Sequence, residues 1–305
     1  MLTIGSRGSQ LALWQANWTK ARLESLGYEC QVQIIHTTGD KITDVALSKV
    51  GTKGLFTKEI EEALLDGRID LAVHSLKDMP TDLPQGLTLA AIPEREDPRD
   101  AIAGKKLWEL PQGAKIGTSS LRRAAQMRVI RPDVRIENIR GNVDTRLRKL
   151  DEGQYDAILL AAAGLRRLGW QARIAEIFEV TDMCPAVGQG ALAIETRADQ
   201  GAGHKACQLL DHTTARICVT AERALLAKLG GGCQVPIGAH ATLLGTVLHL
   251  QAVVVSPDGA MVIKKNFDGL PTEAEELGRR AGDALLAEGG RQILESVYGS
   301  ASALQ

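Results

Sequence analysis

Short apolar runs alternate along this chain with stretches of helical spacing, a pattern that predicts an α/β fold. The run Leu71-Ala72-Val73 is typical of a buried strand. Similar runs occupy residues 32–35, 87–92, 134–139, 156–161 and 191–196. Elsewhere the apolar side chains follow helical spacing, as in Leu11, Trp14, Trp18 and Ala21. This spacing predicts a helix that buries the stripe and ends at Gly27.

Two segments repeat in the same order, which favours two related α/β domains with a cleft between them. Ile4-Gly5-Ser6 resembles Ile116-Gly117-Thr118, and Leu65–Val73 resembles Leu150–Leu159. The charged stretch Glu94–Asp100 predicts one crossing between the domains, and residues 185–190 predict the return.

The predicted boundaries therefore make the first domain discontinuous. Domain 1 comprises residues 1–93 with 189–212, domain 2 comprises 99–187, and domain 3 comprises 213–305. In domain 3 a helix over 215–229 precedes three apolar runs and two further helical stretches. This order predicts a small C-terminal α+β domain.

Composition excludes several classes of protein. Aromatic residues make up only 3% of the 305 residues, too few for base-stacking platforms, so no nucleic acid is expected. No apolar run approaches the roughly 20 residues of a membrane span, and the N-terminus lacks a secretory signal. The five cysteines are scattered without a C-x-x-C pair, so neither disulfides nor a metal site is expected. A cytoplasmic protein is predicted.

Polar residues follow the strand at 71–73 and offer candidate chemistry. Ser75, Lys77 and Asp78 come directly after it, and Pro80 ends the ladder. The carboxyl ends of strands face the ligand in open α/β sheets. A solvated loop explains these three residues equally well, and His74 in the same run is typical of a structural histidine.

Basic residues are concentrated in domain 2. Residues 122–173 carry eleven Arg and one Lys against six acids, a local net charge of +6 in a chain of net charge −1. Several arginines stand where helices begin or strands end: Arg122, Arg123, Arg140, Arg146, Arg166 and Arg167. Their planar, forked donors favour a polyanion site over a solvated helix face. No phosphate-binding glycine motif occurs, although free phosphate or nucleotide remains possible.

Three further segments carry candidate groups. Arg7 and Ser9 lie in a turn before a helix, where free backbone N–H groups bind anions. Lys49 and Lys53 lie in a glycine-rich stretch that predicts a mobile loop over a ligand. Cys233 is flanked by glycines, so its thiol could be accessible and carry a covalent adduct.

Together these segments resemble the porphobilinogen deaminase (hydroxymethylbilane synthase) family from Ile4 to about Val297. The motifs that carry the resemblance are SQLALWQA at 9–16, KVGTKGLF at 49–56, VHSLKDMP at 73–80, GTSSLRR at 117–123, RGNVDTR at 140–146 and GGCQVPIG at 231–238. The resemblance implies two periplasmic-binding-protein-like domains and a small third domain.

The resemblance also implies an activity. Four porphobilinogen molecules are condensed head to tail with loss of ammonia, and hydrolysis releases linear hydroxymethylbilane. The chain is built on a dipyrromethane cofactor, which by motif match is held by a thioether to Cys233. A cytoplasmic monomer that passes its product to uroporphyrinogen-III synthase is implied.

By the same match, Asp78 is the catalytic aspartate, which stabilises the azafulvene cation left after ammonia departs. The residues expected to bind cofactor or substrate carboxylates are Arg7, Ser9, Ser75, Lys77, Thr118, Ser119, Ser120, Arg122, Arg123, Arg140, Gly141, Asn142, Arg146, Arg167 and Gln189. Lys49, Lys53 and Phe56 match the family's mobile loop. Asp144 departs from a common glycine or asparagine, so its side chain is expected to point away from the carboxylates.

Two other functions fit parts of the chain. One is a clamshell anion-binding protein without catalysis, which would not require Cys233. The other is a thiol hydrolase that uses Cys233 with His74 as its base. The mass of the purified protein distinguishes all three, because only the deaminase carries two linked pyrroles.

Overall fold

The computed structural model describes residues 1–41, 57–230 and 235–298. Its helices are α1 (Gln10–Ser25), α2 (Thr38–Lys41), α3 (Lys58–Leu65), α4 (Leu121–Ile130), α5 (Val143–Asp151), α6 (Ala162–Arg167), α7 (Ala202–Gln208), α8 (Thr213–Lys228), α9 (Ala274–Leu285) and α10 (Arg291–Tyr298). Its strands are β1 (Leu2–Ser6), β2 (Cys30–Ile34), β3 (Leu71–Ser75), β4 (Leu87–Ala91), β5 (Asp100–Gly104), β6 (Lys115–Gly117), β7 (Arg135–Glu137), β8 (Ala157–Ala161), β9 (Ile174–Ile177), β10 (Leu192–Arg197), β11 (Ile237–Leu244), β12 (Val247–Val255) and β13 (Val262–Gly269).

The chain divides into two compact units. The first comprises Met1–Glu96 with Ala191–Arg216, and the second comprises Asp97–Gly190 with Ile217–Gln305. The first contains a five-stranded sheet in the order β2-β1-β3-β10-β4. The second contains a five-stranded sheet, β7-β6-β8-β5-β9, and a three-stranded antiparallel sheet, β11-β12-β13. The predicted α/β class with a small C-terminal sheet is confirmed.

The internal repeat is visible in the backbone pairing of the two five-stranded sheets. β1 runs parallel to β2 and β3, as β6 runs parallel to β7 and β8. One antiparallel strand follows in each sheet, β10 beside β3 and β5 beside β8. One hydrogen bond is also repeated in the two units: Asp70 accepts from the Thr3 amide at 2.8 Å, and Asp156 accepts from the Lys115 amide at 2.8 Å. Both repeated segments therefore occupy equivalent places.

The buried face of α1 differs from the predicted one. Ala21 is exposed, whereas Gln15, Ala16, Thr19 and Leu23 are buried. The prediction of an apolar stripe was wrong because two polar side chains, Gln15 and Thr19, are buried on this face, each with a hydrogen-bond partner. The Gln15 side chain donates to Ser75 Oγ at 2.8 Å, and Thr19 Oγ1 donates to the Gln15 carbonyl at 3.0 Å.

The remaining predicted elements shift by a few residues at their ends, and two strands were missed. Strand β5 begins inside the stretch predicted as a crossing, and β9 follows the short 3₁₀ turn Gln171–Arg173. Buried residues of β5, β6 and β8 form the core of their sheet, among them Ile102, Ile116 and Leu159. This core fixes the strand ends from which the polar loops emerge.

Candidate active site

In the first unit, the ends of β1 and β3 lie side by side because the two strands are parallel neighbours. Ser9 begins α1, and its hydroxyl accepts from the Ala12 amide at 3.3 Å. Ser75 ends β3 and is held by Gln15 of the same helix. The structure therefore brings the predicted residues Arg7, Ser9 and Ser75 to one edge of the sheet.

Asp78 closes a short 3₁₀ turn, Leu76–Asp78, that follows β3 directly. The turn is anchored by Leu76, which is 1% exposed, and by Met79, which is 2% exposed. Lys77 is half-buried and Asp78 is exposed. Among the described residues, the Asp78 carboxylate has no hydrogen-bond or ion-pair partner. Two buried anchors thus present one carboxylate to solvent beside Ser75.

Two buried acids, Glu195 on β10 and Glu61 on α3, lie near His74 of β3. His74 Nε2 is 3.1 Å from Glu195 Oε2, and Glu195 is fully buried on β10. Burial raises the pKa of Glu61 on α3, and the charge of Glu195 raises it further. One oxygen of Glu61 and one of Glu195 have no partner among the described residues. His74 is therefore engaged inside the unit, which fits the structural role expected from the sequence.

In the second unit, hydroxyl groups follow β6. Ser120 begins α4, and its hydroxyl accepts from the Arg123 amide at 3.4 Å. Thr118 Oγ1 accepts from the Ser120 amide at 3.2 Å, and Ser119 Oγ donates to the Ile139 carbonyl. These bonds order the turn, so Thr118, Ser119 and Ser120 lie beside the loop that follows β7.

That neighbouring loop carries Arg140, Gly141 and Asn142. Gly141 has a φ of +108°, and a Cβ there would lie 2.5 Å from Thr145 Cγ2, so only glycine fits. Arg146 Nε donates to the Gly141 carbonyl at 2.8 Å. The Arg140 guanidinium is half-buried and has no partner among the residues that the structure describes. It is therefore available to an anion.

Arg122 and Arg123 are far less accessible, at 3% and 5% exposed. Both contact the fully buried Asp100: Arg122 through Nη1 at 2.5 Å and Nη2 at 3.1 Å, and Arg123 through Nε at 2.8 Å. Burial opposes ionisation of Asp100, but the two guanidiniums outweigh it and hold the pKa of Asp100 well below its usual range. Sequence reasoning placed Asp100 in a crossing and gave it no role.

Gln189 and Arg167 complete this group. Gln189 is 1% exposed, donates to the Pro98 carbonyl at 2.7 Å and to Asp100 Oδ1 at 2.9 Å, and accepts from Arg123 at 3.2 Å. Arg167 Nη2 donates to the Gly190 carbonyl at 2.7 Å. The predicted residues of the second unit thus share the carboxyl edge of β6, β7 and β8, with five of them buried: Thr118, Arg122, Arg123, Arg167 and Gln189.

Four predicted residues, Lys49, Lys53, Phe56 and Cys233, lie outside the described residues. The described cysteines, Cys30, Cys184, Cys207 and Cys218, are all buried. Burial raises the pKa of Cys184 to about 12 and that of Cys207 to about 12. A thiolate is therefore strongly disfavoured at these two sites.

In each unit taken by itself, the predicted binding residues are donors of the kind that suits carboxylates, such as the acid side chains of a dipyrromethane. Guanidinium, hydroxyl and helix-start amide groups all donate to carboxylates, and the Arg140 donors have no partner within the described part of the chain. Among the residues with described placement, no cluster of His, Cys, Asp and Glu could hold a metal ion. No described helix combines the length and the apolar character needed to cross a membrane.

Comparison with known proteins identifies the family. The family domain described as "Porphobilinogen deaminase, dipyromethane cofactor binding domain" matches residues 2–205, and "Porphobilinogen deaminase, C-terminal domain" matches residues 216–287. A porphobilinogen deaminase of Syntrophobacter fumaroxidans is 52% identical over 303 residues, covering 98% of each chain. One from Nitratidesulfovibrio vulgaris is 50% identical over 313 residues, covering 99% of each chain.

Among solved structures, a periplasmic substrate-binding protein of an ABC transporter from Coxiella burnetii is 14% identical, with a TM-score of 0.43. It covers 73% of this chain and 97% of its own. The family matches, in contrast, extend through the sheets and loops described above. They confirm the predicted activity, that of a tetrapyrrole-synthesis transferase that uses a dipyrromethane cofactor. The chain belongs to the porphobilinogen deaminase family.

Proposed function

We propose that Asp78 is the catalytic residue with which this chain joins four porphobilinogen molecules into hydroxymethylbilane. The observation that carries the proposal is the exposed Asp78 carboxylate, which has no partner among the described residues, at the end of β3. The other predicted ligand-binding groups of the described residues are cationic or neutral. Asp78 is therefore the anion available to a substrate that becomes positively charged.

Positive charge develops on the pyrrole ring of porphobilinogen when its aminomethyl C–N bond breaks and ammonia leaves. A nearby carboxylate stabilises that charge and accepts a hydrogen bond from the pyrrole N–H. The new C–C bond then forms at the ring carbon of the growing chain, and that carbon loses one proton. The position of Asp78 at the end of the short turn after β3 supports a role as the acceptor of this proton.

Carboxylate binding is assigned to the cationic and hydroxyl groups. Each pyrrole carries an acetate and a propionate, so the growing chain gains two carboxylates with every addition. Arg140 and Arg146 offer forked donors, Ser9 and Ser120 stand at helix starts, and Lys77 contributes a point charge beside Asp78. The number of donors suits a polycarboxylate better than one phosphate.

We infer that Cys233 carries the dipyrromethane as a thioether. When bound, this group would supply the nucleophilic pyrrole carbon that attacks the methylene carbon of the first substrate after ammonia has left. Support comes from the family match over the C-terminal domain and from the burial of the described cysteines. The finer proposals are that Lys49, Lys53 and Phe56 cover the ligand, and that a cytoplasmic monomer passes its product to uroporphyrinogen-III synthase.

The test is the intact mass of the purified protein, followed by porphobilinogen turnover. We expect an added mass of two linked pyrroles, mapped to Cys233 by peptide analysis and absent from Cys233→Ser. Cys218→Ala, on the preceding helix, is the matched control and keeps the added mass. An active protein with an unmodified Cys233 would refute the assignment. An unmodified protein that binds but does not consume porphobilinogen would favour the anion-binding alternative.

A further inference from the structure

The two adjacent arginines at the start of α4 meet the same carboxylate in different ways. Asp100 approaches Arg122 end-on, because its two oxygens accept from Nη1 and Nη2. Arg123 instead gives the edge formed by Nε and Nη2, to Asp100 at 2.8 Å and to Gln189 at 3.2 Å. Arg122 and Arg123 are thus distinct in their hydrogen bonding although they are neighbours in sequence.

The consequence for Arg122 is an open edge inside the protein. Its Nη1 is fully engaged, by Asp100 and by the Cys184 carbonyl at 2.6 Å. Its Nε is buried and has no partner among the described residues. Nε and the second hydrogen of Nη2 form one edge of the guanidinium, the edge that matches a carboxylate with two parallel hydrogen bonds.

The open edge of Arg122 is costly to leave buried without an acceptor. Arg122 is 3% exposed, and its Nε has no partner among the described residues. A buried donor without an acceptor costs free energy, and a carboxylate at this edge would remove that cost. The edge is therefore arranged to receive one carboxylate.

Gln189, which holds Asp100 by a hydrogen bond, is connected through its neighbour Gly188 to the C-terminal part of the same unit. Gln189 bridges Asp100, Arg123 and the Pro98 carbonyl. The preceding residue, Gly188, donates its amide to the fully buried Glu222 of α8 at 2.8 Å. Glu222 also accepts from the amide of Ala241 at 2.8 Å, and this bond connects α8 to β11. Helix α8 ends shortly before the segment that contains Cys233.

We propose that Asp100, clamped by Gln189, is a positioning residue that orients Arg122 so that its open edge binds a carboxylate of the pyrrole chain. The inference rests on the proposed function, because it assumes that Arg122 meets such a carboxylate. Asp100 itself touches no ligand. Its charge and its two oxygens fix which donors of Arg122 are left for binding.

The test compares two arginine-paired acids in one segment. Asp100→Asn removes the charge that fixes Arg122 and Arg123. Asp97→Asn is the matched control, because Asp97 pairs with Arg99 at 3.0 Å and Arg166 at 3.1 Å, and neither arginine is among the carboxylate-binding residues that the family resemblance implies. Three quantities are measured for each variant: the fraction of chains that carry the dipyrromethane mass, the KM for porphobilinogen with kcat per loaded chain, and the Tm.

We expect Asp100→Asn to lower the loaded fraction and to raise KM by about 10- to 100-fold, with a smaller change in kcat. Asp97→Asn lowers Tm but leaves loading and KM unchanged. Gln189→Met removes the hydrogen bonds by which Gln189 holds Asp100 but changes no charge, so it gives a smaller rise in KM. This variant replaces Asp100→Asn in the test if Asp100→Asn does not fold. If Asp100→Asn, or Gln189→Met in its place, changes only Tm, the positioning role is refuted.

The two proposals fail in distinguishable ways. Wild-type protein without the added mass or without turnover contradicts the proposed function. Normal wild-type loading and turnover, combined with an Asp100→Asn variant that behaves like Asp97→Asn, contradicts the positioning role alone.

Discussion

The two five-stranded sheets share one pattern of parallel and antiparallel pairing but surround buried ionisable groups of different kinds. In the first unit, the carboxylates Glu195 and Glu61 lie near a single histidine, His74, and two of their oxygens have no described partner. In the second, Asp100 lies between two guanidiniums. The shared backbone pairing therefore does not determine which charged groups are buried, since the side chains alone differ.

The groups that follow the strand ends differ in the same sense. The first unit presents the Asp78 carboxylate after β3, whereas the second presents Arg140 after β7 and Arg146 on α5. Each repeat therefore tolerates different polar residues where its strands end.

Asp78→Asn removes the exposed carboxylate of the first unit and has the largest expected effect. The amide keeps the shape of the side chain but cannot stabilise a cation or accept a proton. We expect kcat to fall by about 10²–10³-fold or more, with the dipyrromethane still loaded and Tm unchanged. Single-turnover assays with porphobilinogen, together with intact mass, measure both quantities.

Asp82→Asn is the control for that variant, because Asp82 is another exposed carboxylate four residues further along. Its turnover should equal that of the wild type. Near-normal turnover of Asp78→Asn would refute the catalytic assignment, and an equal loss in both variants would point to loop structure.

Glu222→Gln and Glu195→Gln compare how much a buried acid in each unit contributes to the free energy of unfolding. Glu222 accepts from two amides at 2.8 Å, so a glutamine at this position would turn a donor towards one of them. We expect a loss of about 2–3 kcal/mol in the free energy of unfolding. Glu195 has one oxygen without a described partner and a carboxylate neighbour, so the same change should cost less than about 1 kcal/mol. Urea denaturation of both variants tests the order, and equal losses would contradict it.

The sequence could predict the frame of this site but not its interior. Apolar runs located β3 and β8, and the repeated segments located equivalent strands, because burial and local propensity determine both. Asp100 could not be assigned, since its charge is explained only by arginines that lie 22 and 23 residues further along and by Gln189. The prediction of the buried face of α1 was wrong for the same reason, because Gln15 is buried through a contact with Ser75, 60 residues away.

The pH dependence of stability should also separate the two interiors. Because burial raises the pKa of Glu61, its neutral form stabilises the fold, and that contribution is lost as the pH rises through the folded-state value. The pKa of Asp100 is lowered, so its contribution is present at neutral pH and is lost only as the pH falls below the ordinary range of a carboxyl. Glu61→Gln should therefore raise Tm at about pH 8 more than at about pH 5.

Glu62→Gln is the matched control on the same helix, since Glu62 is exposed and pairs only weakly with Lys58 at 4.0 Å. Its Tm should follow that of the wild type at every pH. A Tm gain for Glu61→Gln that does not depend on pH would show that Glu61 is ionised to the same extent in folded and unfolded chains.

The smallest expected difference concerns two helix starts, one in each unit. The Ser9 hydroxyl accepts from the Ala12 amide at 3.3 Å, whereas Asn142 precedes α5 without a side-chain cap bond. Ser9→Ala should therefore cost about 1 kcal/mol of unfolding free energy, and Asn142→Ala only a few tenths, roughly 0.3 kcal/mol. Because Asn142 gains so little from capping, its proposed contact with a carboxylate should appear as a higher KM at nearly unchanged stability. A loss of stability in Asn142→Ala equal to that in Ser9→Ala, with KM unchanged, would make Asn142 a capping residue instead.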